Sequence, residues 1–64
     1  MERDKVIKRI KSEFVEMPGL RLTTAQAMKL WGLDREECQR VINMLVNAAF
    51  LQRNARGEVQ KVGD

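Results

Sequence analysis

Histidine is absent from this 64-residue chain, and cysteine and serine each occur once, as Cys38 and Ser12. Each scarcity excludes a class of chemistry. One cysteine forms no intrachain disulfide, so the fold does not depend on an oxidising compartment. One cysteine without histidine cannot supply the four ligands of a structural zinc site. A lone serine with no histidine offers no nucleophile–base arrangement. Glu36 and Glu37 are adjacent on a helix and point about 100° apart, so they do not converge as an acid/base pair. Gly57 is a lone turn glycine rather than part of a phosphate-binding loop. No apolar run approaches the ~18 residues of a membrane span, and no signal peptide opens the chain. No enzyme, metal or cofactor is therefore expected, and a cytoplasmic location is.

What is present is charge and helical periodicity. A third of the residues are charged and 44% are hydrophobic, the balance of a globular chain. At this length a single domain over residues 1–64 is expected, burying only about 60% of its unfolded surface. The net charge is +3 and the pI about 9.5. That is compatible with a polyanionic partner without demanding one. No run of like charge marks a tail.

Residues 3–17 read as an amphipathic helix, with Val6, Ile7, Ile10, Phe14 and Met17 on one face. Arg3, Lys5, Lys8, Arg9 and Lys11 share its remainder with Glu2, Asp4, Glu13 and Glu16. Its cations read best as a solvated face with i,i+4 pairs such as Asp4–Lys8 and Arg9–Glu13; a dimer interface or a side contact to DNA is the sharper alternative. Pro18-Gly19 ends the helix. Leu20-Arg21-Leu22 alternates as a short strand does. Thr23 or Thr24 then caps a second helix over residues 25–31, with Ala27, Met28, Leu30 and Trp31 as its apolar positions and Gly32 as the left-handed residue that closes it. Trp31 is expected in the core or close to it.

Asp34 is a good N-cap for a third helix running to about residue 49, and Glu37 stands where a capping box needs it. Cys38, Val41, Ile42, Leu45, Val46 and Ala49 give the clearest periodic stripe in the chain. It places Cys38 as a buried thiol rather than a reactive one. Residues 50–53 and 58–62 bracket Asn54-Ala55-Arg56-Gly57 and read as a hairpin. The segment at 20–22 is its candidate third strand, bringing Leu20 and Leu22 onto one core with Leu51 and Val59. Gly63-Asp64 reads as a frayed end. The order is helix, short strand, helix, helix, hairpin: a mainly α fold with a small antiparallel sheet, and specifically a winged helix-turn-helix.

Residues 18–61 read PGLRLTTAQAMKLWGLDREECQRVINMLVNAAFLQRNARGEVQK. They contain a Leu-Thr entry, a Q-A-x-x-L helix, an aromatic-Gly-Leu-Asp turn, a C-x-x-x-I-x-x-L-V helix and F-L-x-R ahead of a Gly-containing turn. In these features the segment resembles a family of small bacterial winged helix-turn-helix domains. The resemblance implies that the third helix is a recognition helix and that the hairpin is a wing touching the DNA backbone or minor groove. It also implies a role in transcription regulation. The chain departs from the pattern twice. Met28 stands where such domains often have Ala at the helix crossing, which predicts a wider crossing. Ala48-Ala49 replaces the Gly often seen before the Phe-Leu pair, which predicts a longer third helix.

The candidate DNA-binding residues follow. Arg35, Gln39, Arg40 and Asn43 are side chains able to read bases, since Arg bonds guanine bidentately and Asn or Gln adenine. They are spaced as a groove-lying helix requires. A solvated polar face would look similar, and Glu36 and Glu37 put negative charge at the helix end that would meet phosphates. On the hairpin, Arg53, Arg56 and Lys61 can each neutralise a phosphate; cations also protect sheet edges from pairing. Thr24, or Thr23, can add a backbone contact. The expected partner is double-stranded DNA, with a homodimer on paired half-sites as a further expectation. The alternative is a winged-helix protein-interaction module that does not bind DNA.

Overall fold

Three stretches of helical periodicity, separated by turn residues, become three helices with a small sheet closing one side. The structure is a computed structural model. It describes the backbone of residues 2–63 and the side chains of residues 4–63. The side chains of Glu2 and Arg3, expected on the first helix surface, and Asp64, expected at a frayed end, lie outside the described residues.

Helix α1 spans Glu2–Glu16, strand β1 Arg21–Leu22, α2 Thr24–Trp31, α3 Arg35–Asn47, β2 Leu51–Arg53 and β3 Val59–Lys61. After α1 the Leu20 amide donates to the Met17 carbonyl at 2.9 Å. This closes a turn with Pro18 and Gly19 at its centre, the residues that suit such a turn. Thr23 is the N-cap of α2. Its hydroxyl accepts from the Gln26 amide at 3.1 Å, and the Gln26 side chain accepts from the Thr23 amide at 2.9 Å. That reciprocal pair is a capping box. Thr24, one of two candidate caps, is instead the first helical residue, and the helix starts one residue earlier than residue 25.

Gly32, with φ +68°, closes α2 in the left-handed region, and the Leu33 amide returns to the Met28 carbonyl at 3.1 Å. Asp34 caps α3, accepting from the Glu37 amide at 2.8 Å. Helix α3 ends at Asn47, two residues short of the expected 49. Ala49 turns left-handed at φ +61°, and the Phe50 amide bonds the Leu45 carbonyl at 3.0 Å. This is the hydrogen-bond pattern usually made with glycine at that place. The absence of glycine therefore does not lengthen the helix, because alanine adopts the glycine conformation.

The sheet is antiparallel with order β1-β3-β2, so β3 is its central strand. The strands are shorter than the expected 50–53 and 58–62. In register, Arg21, Gln60 and Gln52 form one cross-strand row, and Leu22, Val59 and Arg53 the next. Side chains alternate between faces. The Leu22–Val59 row faces the helices, and the Arg21–Gln60–Gln52 row faces away.

The core draws on every element: Ile10 and Phe14 from α1, Leu22 from β1, Ala27 and Trp31 from α2, Cys38, Val41, Ile42 and Leu45 from α3, Leu51 from β2 and Val59 from β3. The expected stripe on α3 is the wall on which the rest packs. Phe14 and Trp31 meet edge to face, with ring centroids 6.5 Å apart. Several apolar expectations move outward: Ala49, at the end of the α3 stripe, is exposed, and Val6, Ile7 and Val46 are half-buried. Met17 and Leu30 are exposed, and Leu20 is half-buried. The small buried residue of α2 is Ala27, while Met28 is only half-buried, so the methionine does not sit at the most buried point of that helix.

Candidate nucleic-acid interface

The outward side of α3 and the hairpin are joined by one hydrogen bond. Arg53 lies in the core-facing row of the sheet, opposite Val59, but at the edge of that row, where its long side chain leaves the core. Its Nη2 donates to Asn43 Oδ1 on α3 at 3.0 Å. A helix residue expected to read bases and a hairpin residue expected to grip phosphate therefore hold each other. The Asn43 carbonyl is engaged, so one of its two acceptor positions is taken before any base is met. The period-two register of β2 gives the side of the sheet on which Arg53 lies, but which helix residue it meets depends on how the elements pack.

The other α3 candidates divide. At about 100° per residue, Glu36 falls inside the arc running from Arg35 to Arg40. Glu36 Oε2 lies 3.6 Å from Arg40 Nη2, and both side chains are well exposed. Such a pair contributes little to stability, but it offsets the Arg40 charge locally. Arg35 is exposed at the first position of the helix, and Gln39 is half-buried on the flank. Counting Asp34, Glu36 and Glu37 against Arg35 and Arg40, the cap and helix carry a net charge of −1.

The hairpin turn is built around Asn54. Its Oδ1 accepts from the amides of Arg56 at 2.9 Å and Glu58 at 3.0 Å, and its Nδ2 donates to Glu58 Oε1 at 3.1 Å and Gln60 Oε1 at 3.0 Å. Asparagine suits this role because its amide bonds the backbone two residues on. Gly57, with φ +80°, completes the turn, and its amide bonds the Asn54 carbonyl at 3.0 Å. The turn presents Arg56 at its exposed tip. Among the described residues, Arg35, Arg56 and Lys61 make no ion pair. Lys61 lies at the far end of β3, half-buried, away from that tip. Thr24 is half-buried at the start of α2. Its backbone carbonyl lies 4.0 Å from the Cys38 thiol, where α2 packs on α3.

Two connections away from this surface were not legible in the sequence. Trp31 Nε1 donates to Glu13 Oε1 at 3.2 Å, and Glu13 Oε2 lies 3.6 Å from Arg9 Nε. The expected i,i+4 pair on α1 thus also fixes the indole of α2. Lys11 Nζ sits 5.6 Å from the Phe50 ring centroid, a cation–π distance. Cys38 is fully buried, and that burial pushes its thiol pKa up, the opposite of activation.

No group of three or more potential metal ligands occurs among the described residues, and no helix of theirs is long and apolar enough to cross a membrane. Compared with protein families, curated proteins and solved structures, the chain matches none of them.

Proposed function

We propose that the chain is a winged helix-turn-helix domain that binds double-stranded DNA in transcription regulation. Helices α2 and α3 form the helix-turn-helix about Gly32 and Leu33, α3 lies in the major groove, and the β2–β3 hairpin is the wing on the backbone. The observation that carries this reading is the Arg53–Asn43 hydrogen bond at 3.0 Å, because it fixes wing and recognition helix as one surface before DNA arrives. Preorganisation of that kind lowers the cost of binding. Arg35, Gln39 and Arg40 supply base and near-base contacts, Arg56 at the wing tip and Lys61 supply phosphate contacts, and Arg53 serves through Asn43 as well as by charge. A homodimer would place two such helices on paired half-sites.

A fluorescence anisotropy titration on random-sequence duplex DNA at two salt concentrations tests this. Binding is expected at low salt, with log K falling linearly with log salt. Arg56→Ala reduces the slope by about 0.9, the share of one phosphate contact. Arg40→Ala costs about 1–3 kcal/mol if it reads a base. No binding at low salt defeats the reading; binding unchanged by both variants defeats the residue assignment.

A second reading has its own observation. Leu30 on α2 and Met44 on α3 are 46% and 45% exposed, and Glu36 interrupts the positive side of α3. A protein-interaction module that does not bind DNA would use such apolar and acidic positions, and it is the reading that a negative titration favours.

A further inference from the structure

The sheet end beside the turn after α1 carries a second cationic feature, in which Lys61, from the row it shares with Leu51, borders the outward Arg21–Gln60–Gln52 row. An open depression of about 280 Å³ is lined by Pro18, Gly19, Arg21, Gln52, Gln60 and Lys61. Its lining holds two cations, two amides and no carboxylate; Glu58 stands beside it, its carboxylate accepting from the same Asn54 Nδ2 that bonds Gln60. Neither Arg21 nor Lys61 forms an ion pair among the described residues. Gln60 is oriented there, because its Oε1 accepts from Asn54 Nδ2 at 3.0 Å, which leaves its NH₂ to donate. The row Arg21–Gln60–Gln52 crosses all three strands, so donors from each strand converge on one place. No aromatic side chain lines it, and a single strand held by base stacking needs one. The two cations and the free NH₂ of Gln60 therefore favour phosphate over base.

We propose that this depression is a phosphodiester-binding subsite for the backbone of duplex DNA, with Arg21 and Lys61 neutralising phosphate and Gln60 donating to it. The inference rests on the DNA-binding reading and adds a contact outside α3 and the wing tip. It also gives Lys61 a place with Arg21 rather than with Arg56.

The test is a ¹H–¹⁵N NMR titration of the full chain with random-sequence duplex DNA at low salt, paired with salt-dependent anisotropy. Shifts at Gly19, Arg21 and Gln60 are expected, and Arg21→Ala should lower the salt slope by about 0.9. Gly19→Asp places a carboxylate in the depression. No atom lies within 4 Å of the added Cβ, and the Gly19 backbone is not left-handed, so the fold should tolerate it. This variant should weaken binding more than Ser12→Asp, which makes the same charge change on exposed α1. Duplex shifts confined to α3 and the wing tip, with an unchanged slope in Arg21→Ala, overturn the inference and leave the main reading standing. Shifts in the depression with none on α3 uphold it and remove the α3 assignment. No shift anywhere overturns both.

Discussion

Ala49 is the one non-glycine residue with a left-handed backbone among the described residues (φ +61°). An L-residue pays about 1–2 kcal/mol for that conformation, whereas glycine enters it freely. Ala49→Gly should therefore stabilise the domain. The extra freedom of glycine in the unfolded chain offsets about 0.4–1 kcal/mol of the gain, leaving a net gain of up to about 1.6 kcal/mol. A thermal melt should show Tm higher by several degrees, since about 1 kcal/mol shifts a domain of this size by ~4–8 °C; a lower Tm would refute the strain. Cys38 makes the opposite kind of statement. Its folded pKa is raised from the ordinary 9.0 by burial, so the unfolded chain loses its thiol proton first as pH rises. The stability this thiol contributes is complete below about pH 9 and is lost through the more alkaline range. Chemical denaturation at pH 7 and pH 10 should show that loss, and Cys38→Ala should remove this part of the pH dependence. Iodoacetamide should label the thiol only when denaturant opens the core.

Within the elements, the hairpin depends on one side chain more than on its strands. Asn54 makes four hydrogen bonds across a turn flanked by three-residue strands. Asn54→Ala should free the amides of Arg56 and Glu58 to exchange rapidly in hydrogen-exchange NMR while α3 stays protected. Loss of protection throughout the chain would mean that the hairpin is not a separable unit. This side chain also shows where sequence reading stops. The elements and their order were legible because local chemistry decides them: Asp34 caps, Gly32 closes, and the stripe from Cys38 to Leu45 has helical period. The pairing of β1 with the hairpin was legible from the alternation of residues 20–22. Contacts between elements were not. Nothing local says that Arg53 reaches Asn43 or that Trp31 bonds Glu13, because both depend on how far apart two elements pack. Helix α3 stops at Asn47, short of residue 49, for a related reason. Packing of Phe50 and Leu51 beneath the helix requires a sharp reversal, and Ala49 supplies it against its own backbone preference. Of the proposed DNA surface, the residue types were legible, but the pairing of Arg40 with Glu36 and the engagement of Asn43 by Arg53 were not.

As a whole molecule, the domain has a single thin core in which each element supplies one to four buried side chains. Phe14 is fully buried and packs edge-on against Trp31. Phe14→Ala should cost about 3–5 kcal/mol, which approaches all the stability a domain this small usually has. Circular dichroism at 37 °C should find the variant largely unfolded; a cooperative melt well above that temperature would show that other contacts carry the core. The sheet sets a further consequence, one of timing. Its central strand, residues 59–61, is the latest in sequence of the three, and β1 and β2 each pair only with it. In N- to C-terminal synthesis both flanking strands are made before the partner that either pairs with. The sheet closes only when Val59 and its neighbours clear the exit tunnel. Until then Leu22 and Leu51 have no Val59 to pack against, and the nascent chain exposes the apolar side of its helices to whatever chaperone waits at the tunnel mouth.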